Sequence, residues 1–139
     1  DAVNLTSRLE GLTKTYGVGV IVGSETARVV DGDFAVLELD WVRVKGKSEP
    51  EKIFAVLGRA DLASSADFRA LRETTVALLA AYQARDFDAA AQAVQRGQAD
   101  AARFGLEVFF EMHADRIRKL AAAPPPESFD GVWDAPKAA

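Results

Sequence analysis

The sequence predicts an α+β chain in two structural halves, and three observations carry that reading. Seven of the ten Gly fall at or before Gly58, among β-branched runs. After Arg59 comes an Ala-rich stretch nearly free of Gly and Pro up to Ala123, then Pro124-Pro125-Pro126 and a tail. Helical and strand-like segments in the first half do not alternate strictly, so a chain of parallel crossovers is not expected. The composition shifts divide the chain into residues 1–59, a helical extension over 60–123 and a proline-rich tail over 124–139.

In the first half, Leu5, Leu9, Leu12 and Tyr16 recur at i, i+4, i+7 and i+11, which predicts a helix over about residues 3–15 with one apolar stripe. Asn4 and Arg8 share a neighbouring face. Gly17 should end that helix, being tolerant of positive φ, and Val18 to Val22 reads as a buried strand. Ser24 is the expected cap of a short helix to about Val30. Phe34 to Leu39 and Trp41 to Lys45 are strand-like, and Gly46-Lys47-Ser48-Glu49-Pro50 is turn chemistry leading into a strand over Lys52 to Leu57, so a hairpin is predicted.

In the second half, Phe68, Leu71, Val76, Leu79 and Tyr82 fit one helical face. Asp86 should begin a second helix with Phe87, Ala91 and Val94 inward, interrupted at Gly97. A third, over about Asp100 to Ala121, carries Phe104, Val108, Phe109, Met112, Ile117 and Leu120, an apolar surface broad enough for two neighbours. Its small Ala neighbours allow close approach in a helical hairpin or three-helix tail, with no second copy that would make an array. Phe129 and Trp133 are expected to dock the tail on the rest of the chain.

Composition narrows the function. The 139 residues are 49% hydrophobic and 27% charged, values of one soluble globular domain that can bury roughly two-thirds of its surface. A formal net charge of -4 argues against nucleic acid as a partner, since backbone recognition needs concentrated Lys and Arg. With no Cys, thiolate metal sites and cysteine nucleophiles are excluded. The longest wholly apolar run, Val76 to Ala81, falls far short of the ~20 residues that span a bilayer. The chain opens on Asp1 rather than Met, which leads us to expect a piece cut from a longer protein.

Local motifs mostly resolve to ordinary structure. Gly46-Lys47-Ser48 lacks the Gly that a phosphate-binding loop needs at position 41, where Trp stands. Gly17-Val18-Gly19 lacks the third Gly of a dinucleotide fingerprint. His113, the sole imidazole, has no metal-ligating neighbour at helical spacing and is expected to be structural. Asp31, Asp33 and Asp40 read as acids flanking turns and strand ends. Arg43, Lys45 and Lys47 read as a solvated basic edge.

Two segments change that last reading. Asp1-Ala2-Val3-Asn4-Leu5-Thr6-Ser7-Arg8-Leu9-Glu10 resembles the signature segment of the class III adenylate and guanylate cyclases, G-D-x-V-N-x-A-S-R-L-E. Leu39-Asp40-Trp41-Val42-Arg43-Val44-Lys45-Gly46-Lys47-Ser48-Glu49-Pro50 is similar to the closing hairpin of that family. The resemblance covers about residues 1–58 and implies the C-terminal part of a ferredoxin-like cyclase domain. Residues 60–139 look like the helical tail of some bacterial membrane-anchored cyclases, including Asp130-Gly131-Val132.

The resemblance implies that Asn4 and Arg8 are catalytic, acting on the transition state, and that Lys45 binds the substrate's phosphates. A guanidinium placed where negative charge develops stabilises the transition state more than the ground state. It also implies ATP as substrate, cyclic AMP and pyrophosphate as products, and a homodimer whose second subunit completes the site. The Mg²⁺ or Mn²⁺ ligands and the purine-reading residues precede the signature segment in this family and are absent from this chain, so it is expected to be inactive alone. The family further implies a cytoplasmic domain, with the membrane reached only through a part N-terminal to this chain. A second reading of the same residues is a non-catalytic helical interaction or dimerisation module on a cyclase remnant.

Overall fold

The structure, a computed structural model, describes residues 9–43 and 49–135. It is α+β: among the described residues a four-stranded sheet and six helices, consistent with a ferredoxin-like part followed by helices. In chain order these are α1 (Thr13–Tyr16), β1 (Ile21–Gly23), α2 (Ser24–Val30), β2 (Phe34–Arg43), β3 (Glu51–Arg59), α3 (Ala60–Ala63), α4 (Ala66–Gln83), α5 (Phe87–Phe104), α6 (Glu107–Ala122) and β4 (Trp133–Asp134).

The helix expected over residues 3–15 is interrupted within its described part. Residues 9 and 10 are helical, 11 and 12 form a turn, and α1 restarts at Thr13. The Thr13 hydroxyl donates to the Glu10 carbonyl at 2.9 Å, a local bond that competes with the helical ladder beside the poor helix former Gly11. The apolar stripe survives the break, since Leu9, Leu12 and Tyr16 are all buried. Gly17 ends α1 at φ 69°, as expected. Ser24 does not cap α2: Gly23 takes that place, while the Ser24 hydroxyl and amide both donate to Glu51 on β3, at 3.0 and 3.2 Å.

The expected hairpin is present. β2 and β3 pair antiparallel, and the sheet order is β1-β3-β2-β4, with β4 parallel to β2. The two strand-like runs split at Asp40 are one strand. The register jumps from Glu38↔Phe54 to Asp40↔Ile53, leaving Leu39 as an extra residue without a cross-strand partner. Such a bulge exchanges the faces of all side chains beyond it. Leu37 is buried before the bulge, and Asp40 and Val42 are buried after it.

α4 lies against β2 and pairs with α5, α5 pairs with α6, and α6 reaches α1. One cluster of buried side chains therefore runs from Leu9 through Leu37, Leu39 and Ile53 to Phe68, Phe109, Phe110 and Ile117. Ser65 caps α4 by accepting from the Phe68 amide, and Asp86 caps α5 by accepting from the Ala89 amide.

Three expectations about the helical part need correction. Val76 is 53% exposed; Thr75 and Leu78 take the inward positions instead, and Val76 lines a groove with Ala27, Val36 and Phe54. Gly97 does not interrupt α5, which runs on to Phe104, and the break lies at Gly105 in a left-handed cap. Gly97 is buried where α5 crosses α6, and a Cβ there would collide with the Phe110 ring. The third helix accordingly starts at Glu107 rather than Asp100, with Phe104 left on α5 and Val108 half exposed.

The tail docks as expected. Phe129 packs edge-on against Tyr82 and Phe87, at centroid distances of 5.5 and 6.0 Å, and Trp133 packs edge-on against Tyr16 at 6.0 Å. Arg85, at φ 64°, donates to the carbonyls of Pro125 and Pro126 and ties the proline run to the α4–α5 turn.

Gly97→Ala tests the α5–α6 crossing. Helix propensity alone favours Ala by roughly 1 kcal/mol, but overpacking against the buried Phe110 ring should reverse the sign and cost about 1–3 kcal/mol. Thermal denaturation should show a lowered Tm, and Phe110→Leu in the Gly97→Ala background should recover part of it.

Candidate functional site

Asn4, Arg8 and Lys45 lie outside the described residues, and so does Lys47. The described residues on either side of those segments converge. Leu9 follows Arg8 and is buried; Tyr16, at the end of α1, meets Asp40 on β2, the strand that leads toward Lys45.

Asp40 is the centre of this meeting and is 1% exposed. It is not the solvated strand-end acid that its neighbourhood in the sequence suggests, because the Leu39 bulge turns it inward. Its Oδ2 accepts from the Tyr16 hydroxyl at 2.7 Å and from Arg116 Nη1 at 2.8 Å, and its Oδ1 accepts from the Trp41 amide at 2.9 Å. The Arg116 side chain is 12% exposed and lies over the rings of Tyr82 and Trp133, with Cζ at 5.7 and 5.1 Å from their centroids. Its Nη2 donates to Met112 Sδ at 3.1 Å. A guanidinium suits this position because its planar face stacks on rings while its edge bonds a carboxylate.

The electrostatics follow from that packing. Burial raises the Tyr16 phenol, and the adjacent Asp40 carboxylate raises it further, so the hydroxyl remains a donor. Burial raises Tyr82 as well. Burial is the largest influence and lowers Arg116, but Asp40, through its charge and hydrogen bond, together with Tyr82 and Tyr16, outweighs it and holds the guanidinium protonated above its ordinary range.

His113 sits beside this network, fully buried, with edge-on contacts to Phe109 and Tyr82. Its Nε2 lies 3.0 Å from the carbonyl of the bulged Leu39. A carbonyl only accepts, so the ring carries its proton on Nε2. Nδ1 has no hydrogen-bond partner among the described residues. Burial pushes the pKa down to about 4, against the opposing pull of Asp40. The structural role expected of His113 is what this arrangement shows.

Among the described residues no group of three His, Asp or Glu is placed to hold a metal ion. Asp40 faces Arg116, and Asp31 pairs with Arg72 at 3.0 Å. Arg43 remains partly exposed to solvent, where its guanidinium pairs with the exposed Asp134 on β4 at 2.9 Å. Among the described residues no helix is long and apolar enough to cross a membrane.

Sequence reasoning missed the Asp40–Arg116–Tyr16 network. The available signal was an acid inside an apolar strand, a Tyr on a buried helical stripe, and an Arg next to a His on a helix with a broad apolar surface. None of these identifies its partner, because the contacts are 24 and 76 residues apart in the chain.

Over 59 residues the chain is 41% identical to an adenylate cyclase of Anabaena cylindrica, a stretch that is 40% of this chain and 12% of that protein's length. No family model and no solved structure matches the chain. The similarity is thus to a cyclase, over a short stretch.

Two outcomes are expected of the buried network. Arg116→Met leaves the Asp40 charge without its counter-ion and should destabilise the fold by about 3–5 kcal/mol in urea denaturation. His113, whose folded-state pKa is depressed from 6.5 to about 4, contributes stability that is full above pH 6.5. That contribution should decline as pH falls toward 4, by up to roughly 3 kcal/mol. His113→Gln, measured across the same range, should flatten that part of the pH–stability curve.

Proposed function

We propose that this chain is the C-terminal part of a class III nucleotide cyclase catalytic domain with a helical extension, and that its parent converts ATP to cyclic AMP and pyrophosphate. The observation that carries the reading is the 41% identity to an adenylate cyclase over 59 residues. The two signature-like segments around Asn4–Arg8 and Asp40–Lys45 support it.

In this reading the ribose 3′-oxygen attacks the α-phosphorus, the bond to the β-phosphate oxygen breaks, and pyrophosphate leaves. Negative charge spreads over the phosphate oxygens as this happens. Arg8 stabilises it with a planar, permanently charged donor set, Asn4 orients the ribose, and Lys45 neutralises the terminal phosphates as a point charge. Mg²⁺ or Mn²⁺, held by acidic residues of a second cyclase subunit, would supply the main counter-charge to the phosphates. The chain thus contributes one half of a site at a homodimer interface, and the parent is anchored to the membrane outside this segment.

Arg8→Ala within the longer protein should lower turnover about 10²–10³-fold, the usual effect of losing one such donor, with an unchanged melting temperature. Equal turnover in variant and wild type removes the assignment. The purified 139-residue chain should make no cyclic nucleotide from ATP and Mn²⁺, and a detectable product would contradict the half-site reading.

A further inference from the structure

The sheet has a second face that the main core does not use. β2 and β3 run in regular register from Val36↔Val56 to Glu38↔Phe54, so alternation turns these four side chains away from Leu37 and Ala55, which belong to the main apolar cluster. Val36 is 4% exposed yet lies outside that cluster, and so does the buried Ala27 of α2. Where α2 and α4 flank this face they leave a groove of about 200 Å³, with Ala27, Val36, Phe54 and the half-exposed Val76 as its apolar lining.

The charged groups of the groove cancel in pairs, with one exception. Asp31 and Arg72 join the end of α2 to α4 at 3.0 Å, and Arg28 lies 3.6 Å from Glu25. Glu38 is partly buried in the lining and makes no hydrogen bond or ion pair among the described residues. Burial raises its carboxyl above the ordinary range against the pull of the exposed Lys52, and the Asp40 charge adds to the rise. A carboxylate among apolar neighbours is costly unless an opposite charge or a hydrogen-bond donor meets it.

The geometry points to a binding site for a small primary amine with an apolar body, the ammonium donating to Glu38 beside Phe54 and the body lying against Ala27, Val36 and Val76. Glu38 and Phe54 are direct cross-strand partners, whose Cβ atoms stand roughly 4.5–5.5 Å apart in such a pair. A carboxylate next to an aromatic ring holds an alkylammonium by charge-assisted hydrogen bonding and cation–π attraction. An anion is disfavoured, because Glu38 repels it and the two arginines of the groove each already face a carboxylate. A neutral apolar guest would cover Glu38 without satisfying it. Sites for drug-sized ligands run to roughly 300–1,000 Å³, so the occupant of this groove is smaller than those.

The test is a titration of the 139-residue chain with phenethylamine, followed by NMR of the backbone amides, with phenethyl alcohol and phenylacetate as the neutral and anionic counterparts. Phenethylamine should bind saturably and shift the amides of Val36, Phe54 and Val76, and the alcohol should bind about tenfold more weakly, the usual effect of losing one charged hydrogen bond. Glu38→Gln, which keeps the shape and removes the charge, should weaken the amine about tenfold and leave the alcohol unchanged. Val76→Ser, at a half-exposed position that the core does not need, should weaken both roughly threefold by removing apolar wall. No saturable binding of phenethylamine, shifts away from the groove, equal affinity for amine and alcohol, or an undiminished affinity in Glu38→Gln each overturns the site. A tighter grip on N-acetyl-lysine methylamide than on phenethylamine also overturns it, since the groove would then take a lysine side chain of another protein.

Discussion

A carboxylate at 1% exposure sets the terms for this molecule. Removing Asp40 from water is costly unless a counter-charge and hydrogen bonds replace the solvent it has lost. The replacements come from α1, from β2 itself and from α6, so three elements distant in the chain must meet at one point. An apolar trio of the same volume could pack in several registers of similar energy. Directional bonds to two oxygens remove that freedom, and Tyr82 and Trp133 then close the space around the guanidinium.

The β2 bulge is what makes this centre possible. Regular alternation would place Asp40 on the face opposite Leu37 and Leu39, pairing it with neither Tyr16 nor Arg116. One extra residue re-aims the strand, and the carbonyl of that residue is met by His113 at 3.0 Å. The imidazole is therefore kept neutral by its surroundings and used as a donor in the core, beside a charged pair that it does not join. Ionic and neutral polar groups here have separate tasks: the first aligns elements, and the second satisfies a backbone group that the ladder leaves over.

The Ala-rich helices are part of the same core as the sheet. Gly97 lets α5 approach the Phe110 ring, and α6 carries His113 and Arg116 to β2 on one face. The tail returns across this assembly, with Phe129 set between Tyr82 and Phe87, and adds its two-residue strand beside β2. The sheet and the helices that follow it are consequently joined through side chains.

Much of this was legible in one dimension. Strand–turn–strand chemistry around residues 34–59 specified the hairpin, the spacing of Phe68, Leu71, Leu79 and Tyr82 specified α4, and Asp86 marked a helix start with its own side chain. Asn4, Arg8 and Lys45 stand out only as members of motifs that resemble a family. Periodicity could not say that Val76 faces a groove or that Gly97 marks a crossing, because those facts belong to the neighbour and not to the helix. Nor could it foresee Asp40 inside: a bulge inverts the parity of a strand without changing its composition. Local chemistry, then, determined where the elements lie and which faces are apolar, since propensity, capping and alternation act over a few residues. Only the tertiary structure decided which polar groups meet, because the energy that buries a carboxylate is supplied by a tyrosine and an arginine brought from distant parts of the chain.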